Sequence, residues 1–509
     1  MHFLSLSWDV IPAVFIGLAF LSSPGTVTAQ TPASITVHAD SPVATIPPLA
    51  LGLDTAVWDG LLNDAPVPAL LREAGITALR YPGGSTADGY HWQTHSATAG
   101  IAHRYRPDTA FDAFMSVARQ VGAHPIITVN YGSNPAGDAG ADPAEAAAWV
   151  DYANNVKHYG VQYWEIGNEI YGNGEYGSGW ETDFHPGHTP SAYGYNVVLF
   201  SQAMKGKDPT IQIGVDLVTP DGWPDGITPD WNSGVLAVCG RAIDFVSVHA
   251  YAQEPGQESD ARLLATPAQY AAKLAKLRAL INRHCGPNAA AVQICVTELN
   301  SISNRPGKQS ISLVNALFLA DACPTLLENG VATADWWDLH NGPEHHNNNP
   351  SLYGDAAFGD YGILSAGKSP EPAAETPFPP YFGMQMLSKL GKPGDVLVNT
   401  SSTQPLLAAH AVQQANGSLA LLLINKDPVQ SFTANVSISG YTPTSSATDY
   451  FYGQPGGTGG LTIAPGTAGS TFERTVPPYS LTTVVMQPDG GSPAPTPTPR
   501  SSNPPETAR

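Results

Sequence analysis

Between residues 47 and 378, short apolar runs rich in β-branched residues alternate with amphipathic stretches, the rhythm of repeated βα units around a parallel sheet. Eight runs read as strands, at 50–54, 78–81, 126–130, 163–167, 211–216, 245–249, 294–298 and 334–338. Eight such units predict an α/β fold with a closed (β/α)8 TIM barrel. Helix punctuation agrees. Asp142 is placed to cap a helix with Pro143 at its first position and Glu145 completing a capping box. A second helix starts near Asp108, buries Phe111, Phe114, Met115 and Ala118 and stops at Gly122, and Thr266-Pro267 opens a third.

From 379 to 487 the period shortens to strands at 406–412, 419–424, 432–438 and 480–486, with a turn at Asn416-Gly417, predicting a C-terminal antiparallel β-sandwich. Residues 30–46 alternate around Ile35 to His38 and are expected to join that sandwich. Residues 488–509 form a Pro/Ser/Thr tail expected to be disordered. At the other end, the apolar run 11–21 is too short to span a bilayer and precedes Val27-Thr28-Ala29. Residues 1–29 therefore read as a signal peptide, with a retained anchor as the alternative because the leading segment offers only His2 against Asp9. Cleavage would place the protein in an extracellular or periplasmic space, with no further membrane contact.

Composition narrows the partner. Charged residues are 13% of the 509, against about 25% in average proteins. Lys plus Arg number 23 against 43 Asp plus Glu, a formal charge of −20, which argues against nucleic acid. The four cysteines match no zinc spacing, and export favours disulfides. Of three connectivities, Cys239–Cys285 and Cys295–Cys323 are expected, because simple alternation turns Glu298 and Val296 into the barrel and Cys295 out toward the helix near Cys323.

In a (β/α)8 barrel, catalytic groups stand at the C-terminal strand ends. Glu169 follows the fourth run, in Trp164-Glu165-Ile166-Gly167-Asn168-Glu169, and Glu298 closes the seventh, in Cys295-Val296-Thr297-Glu298. Two carboxylates on opposite sides of a barrel mouth suit glycoside hydrolysis, where one protonates the leaving oxygen and the other attacks the anomeric carbon. These motifs resemble those of glycoside hydrolase clan A. Arg80-Tyr81-Pro82-Gly83-Gly84 with Tyr90 and Trp92, His249-Ala250-Tyr251 and Pro478-Tyr479-Ser480 are similar to α-L-arabinofuranosidases (family 51-like). Thr297-Glu298-Leu299-Asn300 departs from their usual Asp-Glu-Trp-Asn and is closer to xylosidase-like (family 39) and glucuronidase-like (family 79) relatives.

The resemblance implies a retaining, exo-acting α-L-arabinofuranosidase on plant-type polysaccharide or oligosaccharide, with Glu169 as acid/base, Glu298 as nucleophile and no cofactor. Arg80, Asn130, Asn168, His249 and Tyr251 are expected to bind substrate or tune the glutamates, while Glu165 is expected to pair with Arg80 structurally. Sugar C–H faces call for aromatics, with Trp92, Trp336 and Trp337 first among Trp58, Tyr131, Tyr171 and Trp180. His345-His346-Asn347-Asn348-Asn349 lacks metal-site spacing, so no metal is expected. The alternatives are an endo-acting β-glucanase or xylanase, a β-xylosidase or β-glucuronidase of the same clan, and a non-catalytic carbohydrate-binding protein.

Overall fold

In the computed structural model, which describes residues 31–98, 105–454 and 459–490, eight parallel strands close a barrel. In chain order they are Leu51–Asp54, Ala78–Tyr81, His124–Val129, Tyr163–Ile166, Gln212–Asp216, Phe245–Tyr251, Gln293–Asn300 and Val331–Trp336. They are the first to eighth barrel strands below, and the eighth closes on the first with Ala334 opposite Leu51. Each predicted run falls on one of them. The helix Pro143–Val150 is capped by Asp142, whose carboxylate accepts from the Ala144 amide at 2.9 Å. The helix Phe111–Val121 ends at Gly122 with φ 81°, a left-handed position that glycine takes without steric cost. Thr266-Pro267 opens only a 3-10 turn, Thr266–Gln269, that leads into Tyr270–His284.

Side chains two residues apart on a strand share a face, so the barrel interior fills in layers. At the N-terminal end Leu49, Ala78, Ile126, Tyr163, Phe245 and Cys295 form an apolar plug. One two-residue step up, Arg80, Thr128, Glu165, Ser247 and Thr297 make a polar layer: Glu165 accepts from Arg80 Nε (2.7 Å), Thr128 (2.7 Å), Thr297 (3.1 Å) and Ser247.

The seventh strand breaks this alternation. Val296 stands opposite Val248 and Glu298 opposite His249, so two residues advance on one strand for one on its neighbour. Such a bulge re-aims a side chain, and here it leaves Thr297 inside and brings Glu298 to the mouth as well. It also corrects the expected Cys295–Cys323 bridge. Cys295 points into the plug, whereas Cys323 lies on the surrounding helix Leu313–Glu328, with the strand wall between them. The Cys239–Cys285 bridge is likewise not formed: all four cysteines are free and buried, and burial pushes every thiol up.

Beyond the barrel, a nine-stranded, mostly antiparallel sheet is built from residues 396–488 and the N-terminal strand Thr31–Thr45. That strand pairs antiparallel with Val396–Ser402 and parallel with Phe432–Ser439. Asn425 Nδ2 donates to the Val476 carbonyl at 3.0 Å across strands that are not neighbours, so the sheet folds over itself. Ile35, Val37, Leu421, Leu423, Val436 and Val484 fill the fold. Leu422, Ile424 and Leu481 alternate to the other face and join the barrel core. No helix among the described residues is long and apolar enough to cross a membrane. The leader 1–29 and most of the tail lie outside the described residues.

Candidate active site

The fourth strand ends at Ile166, and the chain then turns through Gly167 (φ 77°) to Glu169, which sits at φ 45°, ψ 38°. This left-handed conformation costs a non-glycine residue about 1–2 kcal/mol. It is held by the Gly172 amide on the Glu169 carbonyl at 2.6 Å. The turn aims Glu169 across the mouth at Glu298. Glu169, His249 and Glu298 each offer a nitrogen or carboxylate oxygen within 4.8 Å of the other two. His249 Nδ1 lies 2.7 Å from Glu169 Oε1 and 3.4 Å from Glu298 Oε2. Tyr171 and Trp180 Nε1 also donate to Glu169, at 2.9 and 2.8 Å. Glu298 accepts from Arg80 Nη1 at 3.0 Å and from Tyr251 at 2.5 Å.

Arg80 is the buried cation beneath this pair. It is 1% exposed and donates to Asp54 (3.0 Å), Glu165 (2.7 Å), Glu298 (3.0 Å) and Asn168 Oδ1 (2.8 Å). A buried guanidinium needs this many acceptors to offset its desolvation. Asn168 Nδ2 continues the chain to Glu181, which also accepts from Ser85 at 2.6 Å.

Burial pushes Glu298 up, aided by the Glu169 charge and opposed by His249 and Arg80. For Glu169 the burial effect is outweighed by the hydrogen bonds from His249, Tyr171 and Trp180, which hold it down. Burial would lower His249, but Glu298 and Glu169 overcome it and raise it. Among the described residues, Glu169, His249 and Glu298 are the one set close enough to hold a metal. His249 Nδ1 and Glu169 Oε1, however, stand at hydrogen-bonding distance, 2.7 Å, and an ion between them would require both to turn away.

The structure thus gathers Glu169, Glu298, Arg80, Asn168, His249 and Tyr251 into one network. Trp337 stands on the rim, within reach of Gly84. Three other expected residues lie elsewhere. Trp336, the residue before Trp337 and the last of the eighth strand, is buried in the core and packs on Phe318 at a centroid distance of 6.2 Å. Trp92 stacks on Trp149 (5.7 Å, 9°) in the helix layer. Both Asn130 polar atoms bond Ser133, at 2.8 and 3.1 Å, and fix their own loop. Tyr131 is fully buried. Missed by the sequence reading were Glu181, Asp54 and Trp223, of which only Asp54, at a strand end, carried a positional signal.

No family model matches the chain. It resembles α-L-arabinofuranosidases. Intracellular exo-α-(1→5)-L-arabinofuranosidases of Streptomyces lividans (28% identical), Bacillus subtilis (27%) and Bifidobacterium longum (29%) match 39%, 38% and 46% of this chain. The matches cover only 31%, 39% and 45% of those relatives' own lengths. The fold extends further: the Thermotoga maritima α-L-arabinofuranosidase in complex with arabinose superposes over 89% of this chain and 99% of its own, with TM-score 0.69 at 20% identity. A Paenibacillus polymyxa xyloglucanase shares the fold over 90% of this chain and its whole length, at TM-score 0.62 and 15% identity. All three sequence relatives are named intracellular enzymes, which corrects the secreted or periplasmic location expected from the N-terminal segment.

Proposed function

We propose that the protein is a retaining glycoside hydrolase that removes terminal α-L-arabinofuranose from a glycan. The observation that carries this reading is the approach of the Glu169 and Glu298 carboxylate oxygens to within 4.8 Å. Retention needs carboxyls about 5–5.5 Å apart, whereas inversion leaves about 6.5–9.5 Å for a water. Arabinofuranose is favoured by the names of the matched relatives. The unusual Leu299 does not weigh against it, because that side chain is 0% exposed and belongs to the core rather than the cleft.

In the first step a Glu298 oxygen bonds to the anomeric carbon as the bond to the aglycone oxygen breaks, and the Glu169 proton goes to that oxygen. Arg80 and Tyr251 hold the attacking carboxylate in line. In the second step water takes the sugar from Glu298 and returns a proton to Glu169.

Glu298→Ala is expected to lower kcat by about 10⁴-fold or more. Glu169→Ala should lose about 10²–10⁴-fold on poor leaving groups, keep activity on aryl arabinofuranosides with good ones, and be rescued by azide to a product of retained configuration. Product stereochemistry from the wild type, followed by NMR, decides the mechanism, since an inverted product removes the assignment. Comparing kcat/KM on aryl α-L-arabinofuranoside, β-D-xyloside, β-D-glucuronide and β-D-glucoside decides the sugar.

A further inference from the structure

Glu169 is tied to a group of aromatics that the two glutamates do not need for bond cleavage. The loop 167–189 carries Tyr171, Tyr176 and Trp180, and the loop 217–230 after the fifth strand carries Trp223. Trp180 and Trp223 are 46% and 43% exposed, and their rings meet at 5.2 Å and 46°. A contiguous exposed aromatic pair beside a cleft is the kind of apolar patch that marks a ligand-binding surface.

The arrangement is built. Trp180 Nε1 donates to Glu169 Oε2 at 2.8 Å, and the ring lies over the Gly172 backbone so closely that a Cβ there would meet Trp180 Cε2 at 2.5 Å. Tyr176 packs edge-on against Trp223 (5.9 Å) and donates through its hydroxyl to the Pro229 carbonyl at 2.7 Å, joining the two loops.

We infer that Trp180 and Trp223 form the aglycone-binding surface, on which the sugar rings of a neutral polymeric glycan stack beyond the scissile bond. The inference rests on the reading of Glu169 as acid/base, because the leaving group must sit on the side of the residue that protonates it. Flat C–H sugar faces complement exposed indoles. The charge excludes a polyuronate: the segments 170–189 and 217–231 contain no Lys or Arg, while Glu175, Asp221, Asp225 and Asp230 line them. Lys276, on the helix Tyr270–His284, is held by Asp221 at 2.7 Å.

The test is intrinsic-fluorescence and calorimetric titration of the full chain, made inactive as Glu298→Gln, with xylohexaose, 1,5-arabinohexaose, cellohexaose and hexagalacturonate. At least one neutral hexasaccharide is expected to quench tryptophan emission. Adding Trp223→Ala should weaken its binding at least tenfold, Trp223→Phe should restore most of it, and Tyr195→Ala, at an exposed aromatic on the helix Pro190–Lys205, should leave it unchanged. Unchanged affinity in Trp223→Ala, no binding of any neutral hexasaccharide, or equal binding of hexagalacturonate would overturn the inference. These readouts need no turnover. Failure to hydrolyse arabinofuranosides would therefore count against the proposed function while leaving this surface standing.

Discussion

His249 lies between two carboxylates that must differ in protonation, and the three titrate as a unit. In the free protein the two carboxylates raise His249, the hydrogen bonds from His249, Tyr171 and Trp180 hold Glu169 down, and burial lifts Glu298. This is the reverse of the order the first chemical step needs. The shortest hydrogen-bond contact of Glu169 is with His249 Nδ1, 2.7 Å away, and an arriving glycosidic oxygen that displaces the Trp180 or Tyr171 hydrogen bond removes part of what holds Glu169 down. The alkaline limb of the kcat/KM profile should then report loss of the proton shared with His249. Since His249 is raised, activity should persist as pH rises past the ordinary histidine value near 6.5 and fall beyond it. His249→Asn leaves Glu169 to hold the proton alone and should move that limb to lower pH by about one unit or more. A limb that does not move on steady-state assay of the variant removes His249 from the proton path.

At the scale of single elements, the barrel strands are fitted by size as much as by polarity. Gly214 on the fifth strand faces the Phe245 ring, where a Cβ would lie 2.1 Å from Cε2. Gly214→Val should therefore lower stability by about 1–3 kcal/mol or more, read as a shifted denaturant midpoint at constant m-value. The bulge in the seventh strand makes a second testable statement. With Cys295 inside the plug and the other cysteines free, the protein unfolded without reductant should titrate four thiols, and reductant should leave its Tm unchanged. Fewer than four thiols would return a disulfide to the fold.

Across the whole molecule, barrel and sheet are joined by a charged clasp set in the shared core. His410, on the sheet strand Leu407–Gln413, donates from Nε2 to Asp321 at 2.9 Å and from Nδ1 to Glu328 at 2.8 Å, both on the barrel helix Leu313–Glu328. Lys426 adds a 2.9 Å bond to Asp321. Burial would lower His410, but Glu328 and Asp321 outweigh it and push it up to about 10. A raised folded value means the contribution is complete below about pH 6.5 and is lost as pH climbs toward 10. Asp321 has the opposite sign: held down despite burial by His410 and Lys426, it contributes above the ordinary aspartate value near 3.9 and is lost in acid. Stability measured against pH should therefore fall on both sides of this window. His410→Ala should cost about 3–5 kcal/mol near neutrality by leaving Asp321 and Glu328 short of a partner, and should flatten the alkaline decline. An unchanged alkaline slope in urea titrations would remove the clasp from the account.

Period and punctuation are local properties, which is why the eight barrel strands, the Asp142 cap, the Gly122 stop and the two strand-end glutamates were legible in the sequence. Residues whose roles depend on an unbroken alternation were less secure. One bulge at Thr297 turned Cys295 from the helix layer into the barrel and undid the expected bridge, and no hydrophobic pattern announces a single extra residue. Trp336 and Trp337 were both expected in the cleft, yet Trp336 ends the eighth strand with its side chain in the core, and only Trp337, just past the strand end, comes up against Gly84. The four-way grip on Arg80, the His249 contact that couples the glutamates, and the meeting of Trp180 with Trp223 join residues on different βα units. The sequence by itself determined the fold class and the catalytic candidates, because both follow from short repeating patterns. Which side chains meet was decided only by closure of the barrel, which brings loops far apart in the chain to one mouth.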